Sequence, residues 1–130
     1  MNKSEIIEIL KGLDLPDGKY WLVTGSAMVV HGLKPLTHDI DMGGDNQLID
    51  GLIAKGHVAE KQKDGKRKIV LSPLIEVYED WIFDKIEEVD GVPVLSLKGL
   101  LQMKQKLNRE KDKKDILRIE ERLKSLKVPL

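Results

Sequence analysis

The composition is that of an ordinary globular chain with balanced charge: of 130 residues, 41% are hydrophobic, and 22 Lys plus Arg match 22 Asp plus Glu. A net charge of zero argues against a duplex-binding protein that depends on broad phosphate neutralisation, and 4% aromatic residues argue against a base-stacking platform. The lack of cysteine excludes disulfides and thiolate zinc sites, and no run approaches the ~18 apolar residues of a membrane span, so we expect a cytoplasmic protein without membrane contact.

The first predicted elements are a helix and a buried strand. Apolar residues recur at helical spacing over residues 4–13, which predicts an amphipathic helix, and a turn sequence at residues 15–18 ends it. Residues 20–23 form an apolar run that is typical of a central strand buried on both faces. A short helix is predicted over residues 26–33, and a strand around residues 39–42 follows it.

The rest of the chain is predicted to alternate strands and then to end in two helices. Asp45 or Asn46 can cap a helix that runs to about residue 55. Two Asp-Gly turns, at residues 64–65 and 90–91, predict hairpins, and residues 74–78 form a further strand candidate. Helices are predicted over residues 96–107 and 110–125. This order predicts an α+β fold, an α/β sandwich with a mixed β-sheet and helices packed on it, as a single domain over residues 1–130.

Two carboxylates, Asp39 and Asp41, are separated by one residue in an apolar strand. Side chains alternate along a strand, so both aspartates are expected on one face and Ile40 on the other. Their like charges repel unless a cation lies between them, and Mg²⁺ is commonly held by one or two carboxylates together with substrate phosphates. His38 is expected on the face opposite the pair. The alternative is an acidic edge strand that faces water.

The dipeptide Gly25-Ser26 follows the apolar strand and precedes a short helix. A glycine lets the backbone approach a phosphate, a helix start offers free N–H groups, and Ser26 adds a hydroxyl donor. The alternative is a strand-to-helix turn in which the serine only caps the helix.

A third carboxylate and a group of C-terminal charges complete the candidate residues. Glu76 is the lone acid inside the apolar run at residues 74–78, and it is either a further metal ligand or an outward residue on a half-exposed strand. Lys104 falls on the apolar face of its helix. Lys104 and Arg109 can pair with Asp112, or they can point toward a phosphate site.

The Gly-Ser at residues 25–26, the Thr-x-Asp-Ile-Asp at residues 37–41 and Glu76 together resemble the nucleotidyltransferase superfamily that includes DNA polymerase β. The chain is most similar to the small prokaryotic branch of minimal nucleotidyltransferases, abortive-infection toxin-like proteins and lincosamide or aminoglycoside nucleotidyltransferases. The run from Lys104 through residues 109–116 is similar to the Lys…Arg-x-Lys-Asp-x-x-Asp-Ile helix pair of that branch. One difference is Pro35, which stands where members often carry arginine, and Lys34 precedes it.

The resemblance implies a nucleotidyltransferase-like fold and transfer of a nucleoside monophosphate from a nucleoside triphosphate, with release of pyrophosphate. It implies Mg²⁺ held by Asp39, Asp41 and Glu76, with Glu76 helping to deprotonate an acceptor hydroxyl. Nucleotide-binding roles fall on Gly25 and Ser26 and on two cations, Lys104 and Arg109.

The resemblance leaves the acceptor open among a small molecule, RNA and protein, and the biological setting open among defence, toxin–antitoxin and antibiotic modification. No separate acceptor-binding domain is apparent in 130 residues. Either a second copy or another partner protein completes the cleft, or the chain is an inactive nucleotidyltransferase-fold module that binds a nucleotide or a protein partner.

Overall fold

The computed structural model describes residues 1–126 and consists of a mixed sheet with helices packed on it. The helices are α1 (Lys3–Leu13), α2 (Thr24–Val30), α3 (Asn46–Ala54), α4 (Leu97–Leu107) and α5 (Lys113–Leu126), with a 3₁₀ turn over Glu110–Asp112. The strands are β1 (Tyr20–Val23), β2 (Ile40–Gly44), β3 (Ala59–Lys61), β4 (Arg67–Ser72), β5 (Ile75–Glu79), β6 (Ile86–Val89) and β7 (Val92–Leu95). Across these residues, no helix is both long and apolar enough to cross a membrane.

Side-chain caps explain where several helices begin. Asn2 accepts a hydrogen bond from the Glu5 backbone N–H at 2.9 Å, and Glu5 accepts one from the Asn2 N–H at 3.1 Å. This reciprocal capping box starts α1 at Lys3. Of the two caps predicted for α3, Asp45 is the one that forms, through the Leu48 N–H at 2.8 Å, and Ser96 caps α4.

The sheet has the order β3-β4-β5-β2-β1-β7-β6. The pairs β2–β5 and β1–β7 are parallel and the other pairs are antiparallel, which confirms the predicted mixed sheet. One row of fully buried side chains crosses four strands at Leu22, Met42, Val77 and Ile69. Since side chains alternate along a strand, their neighbours Asp41 and Glu76 lie on the other face of the sheet.

Three element bounds differ from the sequence-based prediction in ways that affect the site. The helix α2 begins at Thr24, two residues earlier than expected, and β2 begins at Ile40, so that Asp39 precedes the strand. The last predicted helix is divided into a 3₁₀ turn and α5. The physical reason is that Asp112 is buried in the turn and accepts hydrogen bonds from the backbone and side chain of Arg109.

Candidate functional site

A cleft of about 740 Å³ opens where β2 begins, between the start of α2 and the junction of α4 with α5. Five of the seven predicted site residues line it: Gly25, Asp39, Asp41, Lys104 and Arg109. Ser26 and Glu76 do not line it. The cleft is also lined by residues that were not among the predicted site residues: Thr24, Lys34, Lys111 and Trp81.

The two aspartates carry negative charge into the cleft without a cationic partner. Asp39 is exposed and Asp41 is half-buried. Within residues 1–126, no lysine or arginine nitrogen lies within 4.0 Å of either carboxylate. Burial and the nearby Asp39 charge raise the pKa of Asp41 above its ordinary value. A pair in this state gains stability from any cation that binds between its members.

His38 also lines the cleft, so its expected position on the face opposite the aspartates is wrong. That expectation assumed regular strand alternation from Thr37 onward. The chain instead bends at residues 38–39 and becomes a strand only at Ile40.

Three hydroxyl groups hold the segment that carries the aspartates. Thr24 Oγ1 donates to Asp41 Oδ2 at 3.1 Å, and Thr37 Oγ1 donates to the Asp39 carbonyl at 3.1 Å. Ser26 is fully buried, and its hydroxyl lies 3.0 Å from the Val23 carbonyl and 3.2 Å from that of Asp41. The Ser26 side chain therefore joins α2 to β1 and β2, and its hydroxyl points into the fold, away from the cleft.

Gly25 permits a close approach between two chain segments. A Cβ at this position would lie 2.9 Å from Thr37 Oγ1, closer than real side chains allow. The absence of a side chain therefore lets the start of α2 pack directly against the segment that leads to the aspartates. The Gly25 backbone itself faces the cleft.

Glu76 lies on the same sheet face as Asp41, because the two residues are register partners on parallel strands. Its carboxylate accepts a 2.5 Å hydrogen bond from the Tyr78 hydroxyl and lies 3.4 Å from Lys68 Nζ. Within the described residues, no group of three His, Asp or Glu side chains is arranged to hold a metal ion. Of the three carboxylates predicted as metal ligands, two thus line the cleft, and the third is engaged by its strand neighbours.

The opposite wall of the cleft is a cluster of paired charges. Lys104 is only 4% exposed and lies 3.1 Å from both Asp112 and Asp115. Arg109 binds Asp112 at 2.7 Å, and Lys34 binds Asp115 at 2.9 Å. The pairing alternative is therefore present in the structure, and Lys104 and Arg109 line the cleft as well. Burial opposes ionisation of Asp112, but hydrogen bonds from Arg109 and Lys104 lower its pKa to about 2.

Apolar and aromatic side chains form the rim of the cleft. Leu36 is 61% exposed and Leu107 is 37% exposed. Trp81 packs against Tyr78 with ring centroids 4.7 Å apart, and its carbonyl accepts a hydrogen bond from Trp21 Nε1 at 2.9 Å. The cleft thus combines an acidic centre at Asp39 and Asp41, an apolar rim, and a wall on which four cations outnumber two aspartates. We call this the cationic wall, and its cations are Lys34, Lys104, Arg109 and Lys111.

Comparisons with known proteins give the fold. No protein-family model matches the chain, and no curated protein matches it in sequence. Among solved structures, a proposed nucleotidyltransferase from Thermotoga maritima superposes with a TM-score of 0.58 at 16% identity, over 89% of this chain and 92% of that one. The lincosamide antibiotic adenylyltransferase LnuA, in a structure with bound lincomycin, superposes with a TM-score of 0.57 at 16% identity over the same shares. The chain therefore has the nucleotidyltransferase fold that its sequence motifs predicted.

Proposed function

We propose that the chain is a Mg²⁺-dependent nucleotidyltransferase that moves a nucleoside monophosphate from a nucleoside triphosphate to a hydroxyl acceptor. The observation that carries the proposal is the acid pair: on a nucleotidyltransferase fold, Asp39 and Asp41 face a large cleft with no cationic partner among residues 1–126. A solvated acidic strand would not explain why Asp41 is half-buried with a raised pKa.

The donor chemistry of the acid pair fits magnesium. Mg²⁺ prefers carboxylate, phosphate and water oxygens and is usually bound by one or two carboxylates plus substrate phosphates. Asp39 and Asp41 supply that minimum, and Glu76 would join them if its carboxylate left Tyr78 and Lys68. When bound, the metal neutralises phosphate charge and favours in-line displacement.

The cationic wall suits the phosphate end of the substrate. Arg109 and Lys111 line the cleft with exposed side chains, and Lys34 lines it while it holds Asp115. Lys104 is committed to two aspartates, so we assign it to positioning this wall. We assign the Gly25 backbone to phosphate contact and the Ser26 hydroxyl to holding the strand that carries Asp41. The assignment of Glu76 to deprotonation of the acceptor stays a prediction.

A small molecule is the first acceptor to test. LnuA, an antibiotic adenylyltransferase whose structure contains lincomycin, superposes on this chain over 92% of its own length, and this likeness favours a small-molecule acceptor. The apolar rim at Leu36, Leu107 and Trp81 favours an acceptor with an apolar face. RNA and protein are the acceptors to test next. For these acceptors, a second copy of this chain is the partner that would complete the cleft. Antibiotic modification, defence and toxin–antitoxin roles are the settings consistent with these acceptors.

The direct test incubates the purified protein with each α-³²P-labelled NTP, Mg²⁺ and panels of lincosamides, aminoglycosides, RNA and cell extract. We expect label transfer by the wild type and its loss in Asp39→Asn and Asp41→Asn. Asp17→Asn is the matched control, since Asp17 is exposed and lies outside the cleft. Equal transfer by all four proteins would contradict the assignment of the acid pair.

A second function is favoured by one observation: the third carboxylate, Glu76, is engaged by Tyr78 and Lys68. On this basis the alternative is an inactive module that binds a nucleotide or a protein partner. It predicts nucleotide affinity that depends on the cationic wall, with no turnover for any acceptor. Isothermal titration with a non-hydrolysable ATP analogue, beside the transfer assay, separates the two functions.

A further inference from the structure

Thr24 has an unusual backbone conformation for its residue type. Of the described residues, five that are not glycine have positive φ, and four of them are Asp14, Asp80, Asp90 and Asn108. Aspartate and asparagine adopt this left-handed region comparatively often, whereas a β-branched residue there is a genuine outlier. Thr24, with φ of 51°, is the β-branched member of the set. Some compensating interaction must offset the cost of this conformation.

The neighbouring glycine makes the position of the strain more informative. A glycine can adopt the left-handed conformation at little cost, but here the glycine at position 25 does not have positive φ and Thr24 beside it does. Gly25 is instead required by the close approach of Thr37 Oγ1. Position 25 therefore requires the absence of a side chain. The backbone conformation alone would favour glycine at position 24, so the threonine there indicates that its side chain is needed.

The compensating interaction is the hydrogen bond from Thr24 to the acid pair. Thr24 is 8% exposed, lines the cleft, and donates from Oγ1 to Asp41 Oδ2 at 3.1 Å. Within residues 1–126, Asp41 Oδ1 accepts no hydrogen bond and forms no ion pair, so one carboxylate oxygen is held and the other is left to the cleft. A hydroxyl at the end of β1 thus sets the direction in which Asp41 presents its second oxygen.

We infer that Thr24 is a positioning residue for Asp41, and that its strained backbone is retained because it places the hydroxyl over this carboxylate. The inference rests on the proposed function, in which Asp41 is a metal ligand. A merely structural role, in which the hydroxyl only helps to join β1 to β2, would change stability but not the metal affinity of the folded protein.

The test measures Mn²⁺ affinity by electron paramagnetic resonance, with Mn²⁺ alone and with a non-hydrolysable ATP analogue, at a temperature where each variant is folded. Thr24→Val keeps the shape and loses the hydroxyl, whereas Thr24→Ser keeps the hydroxyl. We expect Mn²⁺ affinity to fall about tenfold in Thr24→Val and to stay within about threefold in Thr24→Ser. Thr24→Gly lacks the hydroxyl but tolerates positive φ. It should therefore match Thr24→Val in Mn²⁺ affinity and melt at a higher temperature than Thr24→Val.

Each outcome decides between the claims. Wild-type affinity in Thr24→Val and Thr24→Gly would overturn the inference while leaving the metal site intact. A loss in Thr24→Ser equal to that in Thr24→Val would also overturn it, because the hydroxyl would then not determine the affinity. If Thr24→Val does not fold, Thr24→Gly carries the comparison. Failure of the wild type to bind Mn²⁺ in either condition would overturn the proposed metal site itself, and the inference with it.

Discussion

Replacement of Lys104 by methionine should destabilise the protein strongly, because Lys104 is the centre of the buried charge cluster. Its ammonium group lies 3.1 Å from a carboxylate oxygen of Asp112 and 3.1 Å from one of Asp115, and the three side chains are 5%, 1% and 6% exposed. Methionine keeps the apolar stem of lysine but ends one heavy atom earlier, and it removes both the charge and the N–H donors that bind the two aspartates. Two buried carboxylates would then share one cation fewer.

The magnitude follows from the cations that remain. Removal of one partner from a buried ion pair typically costs about 3–5 kcal/mol. In Lys104→Met, Asp112 keeps Arg109 and Asp115 keeps Lys34, so neither carboxylate is left alone. We therefore expect the lower end of the range, a loss of about 3 kcal/mol in the free energy of unfolding, which corresponds to a melting temperature lower by about 10 °C.

The same cluster predicts how stability depends on pH. Asp112 has a pKa of about 2 in the folded state, below the value of about 3.9 for an unfolded chain. Its ionised form therefore stabilises the fold above about pH 4, by on the order of 2–3 kcal/mol, and this contribution is lost as the pH falls from about 4 to about 2. Without Lys104 the pKa of Asp112 rises, so Lys104→Met should unfold at a higher pH than the wild type.

Urea unfolding followed by tryptophan fluorescence, at pH 7 and during an acid titration, measures both effects. The control is Lys113→Met, because Lys113 pairs with Glu110 at a site where the side chains are 67% and 87% exposed. This control should change stability by less than about 0.5 kcal/mol. If Lys104→Met is no less stable than Lys113→Met, the buried cluster does not stabilise the cationic wall and the reasoning is refuted.

Three further predictions concern the acidic face of the sheet. Burial and the acidic neighbour Asp39 raise the pKa of Asp41, so the Asp41 charge opposes folding as the pH rises. In differential scanning calorimetry at pH 7, Asp41→Asn should therefore melt no lower than the wild type, although it loses metal binding. Lys68→Met removes the cation 3.4 Å from Glu76 and should raise Mn²⁺ affinity about threefold by titration, and an unchanged affinity would show that Glu76 plays no part in the site. A Cβ at Gly43 would lie 2.1 Å from Trp21 Nε1, so Gly43→Ala should cost more than about 2 kcal/mol in urea unfolding, and wild-type stability would mean that the ring does not cover this glycine.

Local patterns in the sequence were sufficient to predict most of the architecture. Residues 20–23 are an uninterrupted apolar run, and they are the central strand β1 with all four residues buried. The Asp-Gly turns at residues 64–65 and 90–91 lie between the paired strands β3–β4 and β6–β7, because this dipeptide favours hairpin turns. The spacing of Asp39 and Asp41, seen together with Gly25, predicted that all three residues would line one cleft.

The parts that sequence reasoning missed depend on contacts between distant segments. The partners of Glu76 come from a neighbouring strand and from its own, and only the register of β4 on β5 brings Lys68 next to it. The hydrogen bond from the Thr24 hydroxyl to Asp41 depends on the left-handed backbone of Thr24, and the only sequence signal for it was a threonine directly before Gly-Ser at a strand end. The bend at residues 38–39 likewise removed the regular alternation on which the expected position of His38 depended.

The most direct test of the account is a crystal structure of the protein soaked with Mn²⁺ and a non-hydrolysable nucleoside triphosphate analogue, collected at a wavelength where manganese scatters anomalously. We expect an anomalous peak within coordination distance of Asp39 and Asp41, with the triphosphate extending from it toward Arg109 and Lys111. A nucleotide bound elsewhere, or a triphosphate in the cleft with no manganese at the two aspartates, would contradict the assignment of this acid pair as the metal site of a nucleotidyltransferase.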